Sequence, residues 1–110
     1  MIVSPRLCIT GSGRSERTVD LQDTVTIGRA DDNDIVLEDM AVSRCHVLLM
    51  IRSEGVVLVD MDSTNGTFVN GRPAPSGEHV HLADGDVIVV GATALRYEAS
   101  PAISPEALRN

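Results

Sequence analysis

Short apolar runs rich in Val, Ile, Leu and Thr recur along this chain, and each is closed within a few residues by Gly, Pro, Asn, Asp or Ser. Strand-sized segments with turn residues between them restrict the fold more than any other feature of the sequence. The pattern predicts strands over 6–10, 17–21, 24–27, 35–37, 46–52, 56–61, 68–69, 79–82, 86–90 and 94–98, about ten or eleven in all. The longest apolar runs, 46–52 and 56–61, are joined by Ser53, Glu54 and Gly55 and read as a hairpin of central, well-buried strands. Arg72 to Gly77 contains two prolines, which places it at a sheet edge. No segment before the C-terminal dozen residues has a helical period. The expectation is an all-β sandwich or barrel.

Composition narrows the function. The 110 residues suffice for one core. Aromatic residues are 2% of the chain, only Phe68 and Tyr97, so Val, Ile, Leu and Met must build that core. A formal net charge of −7 gives no basic face for nucleic acid and no polybasic patch for an anionic membrane. All nine basic residues are arginine, which suggests a GC-rich, bacterial genome. Cys8 and Cys45 each lie in an apolar run and read as buried thiols of a reducing compartment. The segment 1–5 lacks the charged and apolar regions of a secretory signal, and no run approaches a membrane span. The expected location is the cytoplasm. Residues 1–98 read as one monomeric domain, and 99–110 as a flexible tail or the start of a linker.

Ser63-Thr64-Asn65-Gly66-Thr67-Phe68-Val69-Asn70-Gly71 concentrates hydroxyl, amide and backbone donors in a turn, a short strand and a second turn. Such arrays suit an anionic or main-chain ligand, although a plain tight hairpin accounts for the stretch equally. Upstream stand Gly28-Arg29, Asn33-Asp34-Ile35 and Ser43-Arg44-Cys45-His46. Downstream stands Leu82-x-x-Gly85-Asp86-x-Ile88-x-x-Gly91. Taken in series at this spacing, from about Thr24 to Tyr97, these motifs resemble the forkhead-associated (FHA) domain.

The resemblance implies an eleven-stranded, mostly antiparallel FHA-like β-sandwich whose loops at one end bind phosphothreonine peptides in Ser/Thr kinase signalling. It implies that Arg29 clamps the phosphate, that Ser43 donates its hydroxyl and Arg44 its backbone N–H, and that Thr64 donates once more. Asn65 would hold the peptide main chain. Gly28, His46 and Gly66 would shape the loops, His46 by bracing them and Gly66 through an unusual φ. Asp62 departs from the family's frequent glycine, but Asp tolerates left-handed geometry. The implied partners are a phosphothreonine protein and an upstream kinase, with no cofactor and no enzymatic activity. Asp31, Asp32, Asp34, Glu38 and Asp39 lie between the two arginines and would oppose a phosphate if they faced it. The competing role is a phosphate-independent assembly or intramolecular docking module of the same fold.

Other chemistries fit less well. Ser43, His46 and Asp60 contain the residue types of a hydrolase triad, without a nucleophile elbow. The acidic segment 31–38 lacks the ligand spacing and glycine of a calcium loop. His79 and His81 share one face of a strand that reads as solvated. Gly11-Ser12-Gly13 is a turn, since no helix follows it.

Overall fold

The computed structural model describes residues 5–11 and 16–99, which form eleven strands and no helix. Chain order gives β1 (Arg6–Thr10), β2 (Arg17–Asp20), β3 (Thr24–Gly28), β4 (Ile35–Val36), β5 (Val47–Arg52) and β6 (Gly55–Asp60). Then follow β7 (Thr67–Val69), β8 (Arg72–Pro73), β9 (His79–Leu82), β10 (Val87–Val90) and β11 (Thr93–Glu98). They make two sheets, ordered β2-β1-β11-β10-β7-β8 and β4-β3-β5-β6-β9. Every pairing is antiparallel except the two-residue contact of β4 with β3. Of the sandwich and barrel that the strand pattern allowed, the fold observed is the all-β sandwich that the family resemblance implied.

Alternation along each strand sends one set of side chains inward. Leu7, Ile9, Ile88, Val90, Leu95 and Tyr97 from the six-stranded sheet meet Val25, Ile27, Val47, Leu49, Val56 and Leu58 from the other. The β5–β6 hairpin is paired from Val47↔Asp60 to Arg52↔Gly55 and supplies the middle of its sheet, as expected. Asn70 and Gly71 both have positive φ (51° and 81°), the geometry of the two-residue turn that joins β7 to β8. Pro73 lies in the outermost strand, where its missing N–H breaks no ladder.

Three local readings change. His46 lies just before β5 rather than within it. Residues 72 and 73 pair with β7 instead of forming only a turn. Cys8 is buried but Cys45 is exposed. The inward positions around it are taken by Val42 and His46, so an apolar neighbourhood in sequence did not make Cys45 a core residue. Residues 12–15 and 100–110 fall outside the described residues, including most of the expected tail. Ala99 itself is tethered, its N–H donating to Asp84 Oδ1 at 2.9 Å. Among the described residues no helix is long and apolar enough to cross a membrane.

Leu58 is fully buried at the middle of β6. Leu58→Ala is expected to lower unfolding free energy by about 2–5 kcal/mol through lost burial and the cavity left behind. Urea denaturation checks this, and a loss well below that range would show that the sheets close over the site.

Candidate functional site

Three loops meet at one end of the sandwich: 29–34 between β3 and β4, 37–46 between β4 and β5, and 61–66 between β6 and β7. The middle loop is the scaffold. Its carbonyls at 41 to 44 each accept a hydrogen bond from a neighbouring loop. Ala41 O accepts from Asn65 Nδ2 (2.8 Å), and Val42 O from Arg29 Nε (3.1 Å). Ser43 O accepts from Arg29 N (3.0 Å), and Arg44 O from Ala30 N (3.1 Å) and Asn33 Nδ2 (2.6 Å). Gly28 is required by the same packing, because a Cβ there would overlap the Arg44 carbonyl.

His46 is fully buried and joins two loops. Its Nδ1 accepts the Ser43 N–H at 2.9 Å, so the ring proton sits on Nε2, which donates to Gly66 O at 2.9 Å. These two bonds tie the loop 37–46 to the loop 61–66. Gly66 has φ +84° and Asp62 φ +57°, the left-handed geometry expected at both positions. Ser43 Oγ accepts the Thr64 N–H at 2.9 Å, which leaves the Ser43 hydroxyl proton available to a ligand.

All five candidate recognition residues therefore lie on these three loops, Arg29 at the first position after β3. Arg29 is half-buried with its Nε anchored, so its terminal nitrogens project from a fixed base. Arg44, Thr64 and Asn65 are exposed. The hydrolase alternative has no matching geometry. Ser43 reaches His46 through its backbone N–H, and the Asp60 carboxylate is bonded to Ser63 and Thr67 rather than to His46. A cavity of about 590 Å³ opens beside the middle loop, lined in part by Arg17, Leu37, Met40, Ala92 and Thr93; none of the five lines it.

Two supporting acids were not anticipated in these roles. Asp60, at the end of β6, accepts from Ser63 N (3.1 Å), Ser63 Oγ (2.5 Å) and Thr67 Oγ1 (2.6 Å), which shapes the loop carrying Thr64 and Asn65. An Asp followed three residues later by Ser is the sequence signal for this clamp. Asp39 accepts from Ala41 N, Ala92 N and Thr93 Oγ1 at 2.8–2.9 Å. Asp34 is likewise occupied, accepting from Thr26 N at 2.9 Å. Hence two of the five acids between the arginines serve the scaffold, while Asp31 and Asp32 stay in solvent.

The family model for the FHA domain matches residues 25–91. The chain belongs to the FHA domain family. Curated relatives include an ABC transporter ATP-binding/permease protein of Mycobacterium tuberculosis, 45% identical over 67 residues that are 61% of this chain and 7% of that protein. Another is the glycogen accumulation regulator GarA of Mycolicibacterium smegmatis, 38% identical over 80 residues, 73% of this chain and 49% of GarA. The chain thus spans half or less of these relatives. A solved FHA domain described by its phosphothreonine-dependent interactions is 35% identical at TM-score 0.79, covering 90% of this chain and 99% of that one. Mycobacterium tuberculosis EmbR, solved with a low-affinity phosphopeptide, is 32% identical at TM-score 0.81, covering 93% of this chain and 26% of EmbR. The FHA family is one of recognition modules.

Burial pushes the Asp60 carboxyl up, but the hydrogen bonds from Ser63 and Thr67 outweigh it and hold the group below its ordinary 3.8. The Ala41 N–H, with further help from Ala92 and Thr93, holds Asp39 below 3.8 in spite of its burial. A carboxylate depressed in the fold stabilises it above its unfolded pKa, and that contribution is lost as pH falls through the folded value. The urea midpoint should therefore fall as pH drops below about 4, less steeply in Asp60→Asn than in wild type. Identical acid profiles for the two proteins would contradict the clamp.

Proposed function

We propose that this FHA domain recognises phosphothreonine on a partner protein and so mediates phosphorylation-dependent association in Ser/Thr kinase signalling. The observation that carries this reading is the set of donors gathered at one end of the sandwich: the anchored Arg29 guanidinium, the Ser43 hydroxyl, whose oxygen already accepts the Thr64 N–H and whose proton remains to donate, and the exposed Thr64 and Asn65. A phosphate ester brings about −1.5 to −2 charges and three acceptor oxygens, which match such donors. Charge-assisted hydrogen bonds are worth about 1.5–3 kcal/mol each, and three or four of them, less the cost of association, give micromolar affinity, near −8 kcal/mol.

In this reading Arg29 takes the phosphate with its terminal nitrogens, Ser43 and Thr64 donate hydroxyls, and Arg44 adds its backbone N–H and its exposed guanidinium. Asn65, tied to Ala41 through Nδ2, presents its Oδ1 to the peptide main chain. Gly28, His46 and Gly66 hold the loops in place. A threonine γ-methyl on an apolar niche contributes about 0.8 kcal/mol, a few-fold preference over serine. Residues 1–98 act as the reading module, as a monomer and without enzymatic activity. Its cytoplasmic placement follows from the kinase that must supply the phosphothreonine. The similarity to FHA domains solved in phosphothreonine-dependent interactions supports the same reading.

Arg29→Ala is expected to weaken binding of a phosphothreonine peptide by about 100-fold or more, the loss of two charge-assisted bonds, with a modest fall in melting temperature from the lost Arg29 Nε–Val42 O bond. Fluorescence polarisation checks this. Wild-type affinity in the variant would remove Arg29 from the site.

A further inference from the structure

Arg29 and Asn65, from the two loops that bond to the middle loop, are held by consecutive backbone carbonyls of that loop. Val42 O holds Arg29 Nε at 3.1 Å, and Ala41 O holds Asn65 Nδ2 at 2.8 Å. Both carbonyls belong to the turn 39–42, which is closed by Val42 N donating to Asp39 O at 2.9 Å. The Asp39 carboxylate fixes this turn at both oxygens. Oδ1 accepts the Ala41 N–H at 2.9 Å, and Oδ2 accepts the Ala92 N–H at 2.8 Å and the Thr93 hydroxyl at 2.9 Å.

Ala92 lies in the β10–β11 turn and Thr93 begins β11, so Asp39 fastens the recognition loop of one sheet to the end of the other. The fit is close. A Cβ on Gly91 would come within 2.9 Å of Asp39 Oδ2, 3.1 Å of Ala41 Cβ and 3.1 Å of Val42 Cγ2.

We infer that Asp39 is a positioning residue for ligand recognition: by holding the 39–42 turn against Gly91–Thr93, it sets the directions of Arg29 and Asn65 together. The inference rests on the reading of this opening as a phosphothreonine site. Asp39 touches no ligand in this account and acts only through the Ala41 and Val42 carbonyls.

An amide cannot replace the carboxylate. Both oxygens receive backbone N–H groups, which cannot rotate into acceptors, so in Asp39→Asn the side-chain NH2 faces one backbone donor in either orientation. The turn then moves, and both aimed side chains lose their common reference. Thr93→Val is the gentler variant, removing one of three donors from a buried site with little change of shape.

The experiment combines two readouts on proteins shown by melting curves to be folded at the working temperature. Peptide-free NMR follows the Arg29 Nε–H and Asn65 Nδ2–H signals, which in wild type should be shifted and protected from exchange. Asp39→Asn should abolish that protection, and Thr93→Val should reduce it. Titration with a phosphothreonine peptide pool should show Asp39→Asn binding on the order of tenfold more weakly than wild type, with a smaller loss in an Asn65→Ala background, where only the Arg29 route remains. A merely structural aspartate would give equal losses in both backgrounds.

Unchanged side-chain signals in folded Asp39→Asn overturn the inference, as does unchanged affinity beside a lowered melting temperature. Should Asp39→Asn fail to fold, Thr93→Val decides by the same signals. Wild type that binds no phosphopeptide would instead sink the phosphothreonine reading, and the NMR signals would still decide whether Asp39 aims the two side chains.

Discussion

Four consecutive carbonyls, from Ala41 to Arg44, each accept a hydrogen bond from another loop, and the functional end of the molecule depends on that arrangement. A loop that left these groups unpaired away from water would cost about 1–3 kcal/mol at each. By meeting them with Asn65, Arg29, Ala30 and Asn33, the fold satisfies the backbone and orients the proposed recognition side chains Arg29 and Asn65 in a single set of contacts. Gly28 admits the closest of them, and His46 ties the loop to Gly66 beneath. The sandwich supplies what short loops lack: two sheets whose ends hold three loops within hydrogen-bonding reach.

Charge poses a question that hydrogen bonding partly answers. A domain of net charge −7 is a poor long-range attractor for a phosphate dianion. Exposed acids beyond about 8–10 Å are largely screened at physiological salt. Two of the acids between the arginines, Asp34 and Asp39, are bonded to backbone and hydroxyl donors. The local donor set therefore governs the opening, and the overall acidity bears more on the rate of encounter than on the bound state.

Much of this was legible from residue types. Alternating β-branched runs with punctual turn residues gave the strand count, and Asn70-Gly71 marked its hairpin because both positions require φ > 0. Gly66 and Asp62 followed from the same conformational rule once the family resemblance placed them. Cys45 was misread because exposure at a loop end depends on which neighbours turn inward, here Val42 and His46, and periodicity does not extend through a loop. Asp39 was read as a charge and Asp60 as the acid of a rejected hydrolase triad, neither as an acceptor shaping a loop. The Asp39 partners at Ala92 and Thr93 are more than fifty positions away, a contact that only sheet topology brings about.

The most direct test is a calorimetric titration of the wild-type domain with three matched peptide pools: phosphothreonine, phosphoserine and unphosphorylated. Micromolar heat from the phosphothreonine pool, a few-fold weaker binding of phosphoserine and no heat from the unphosphorylated pool is the predicted result. Equal binding of the unphosphorylated pool, or no binding of any pool by the folded domain, would contradict phosphate-dependent recognition and point to docking through another face.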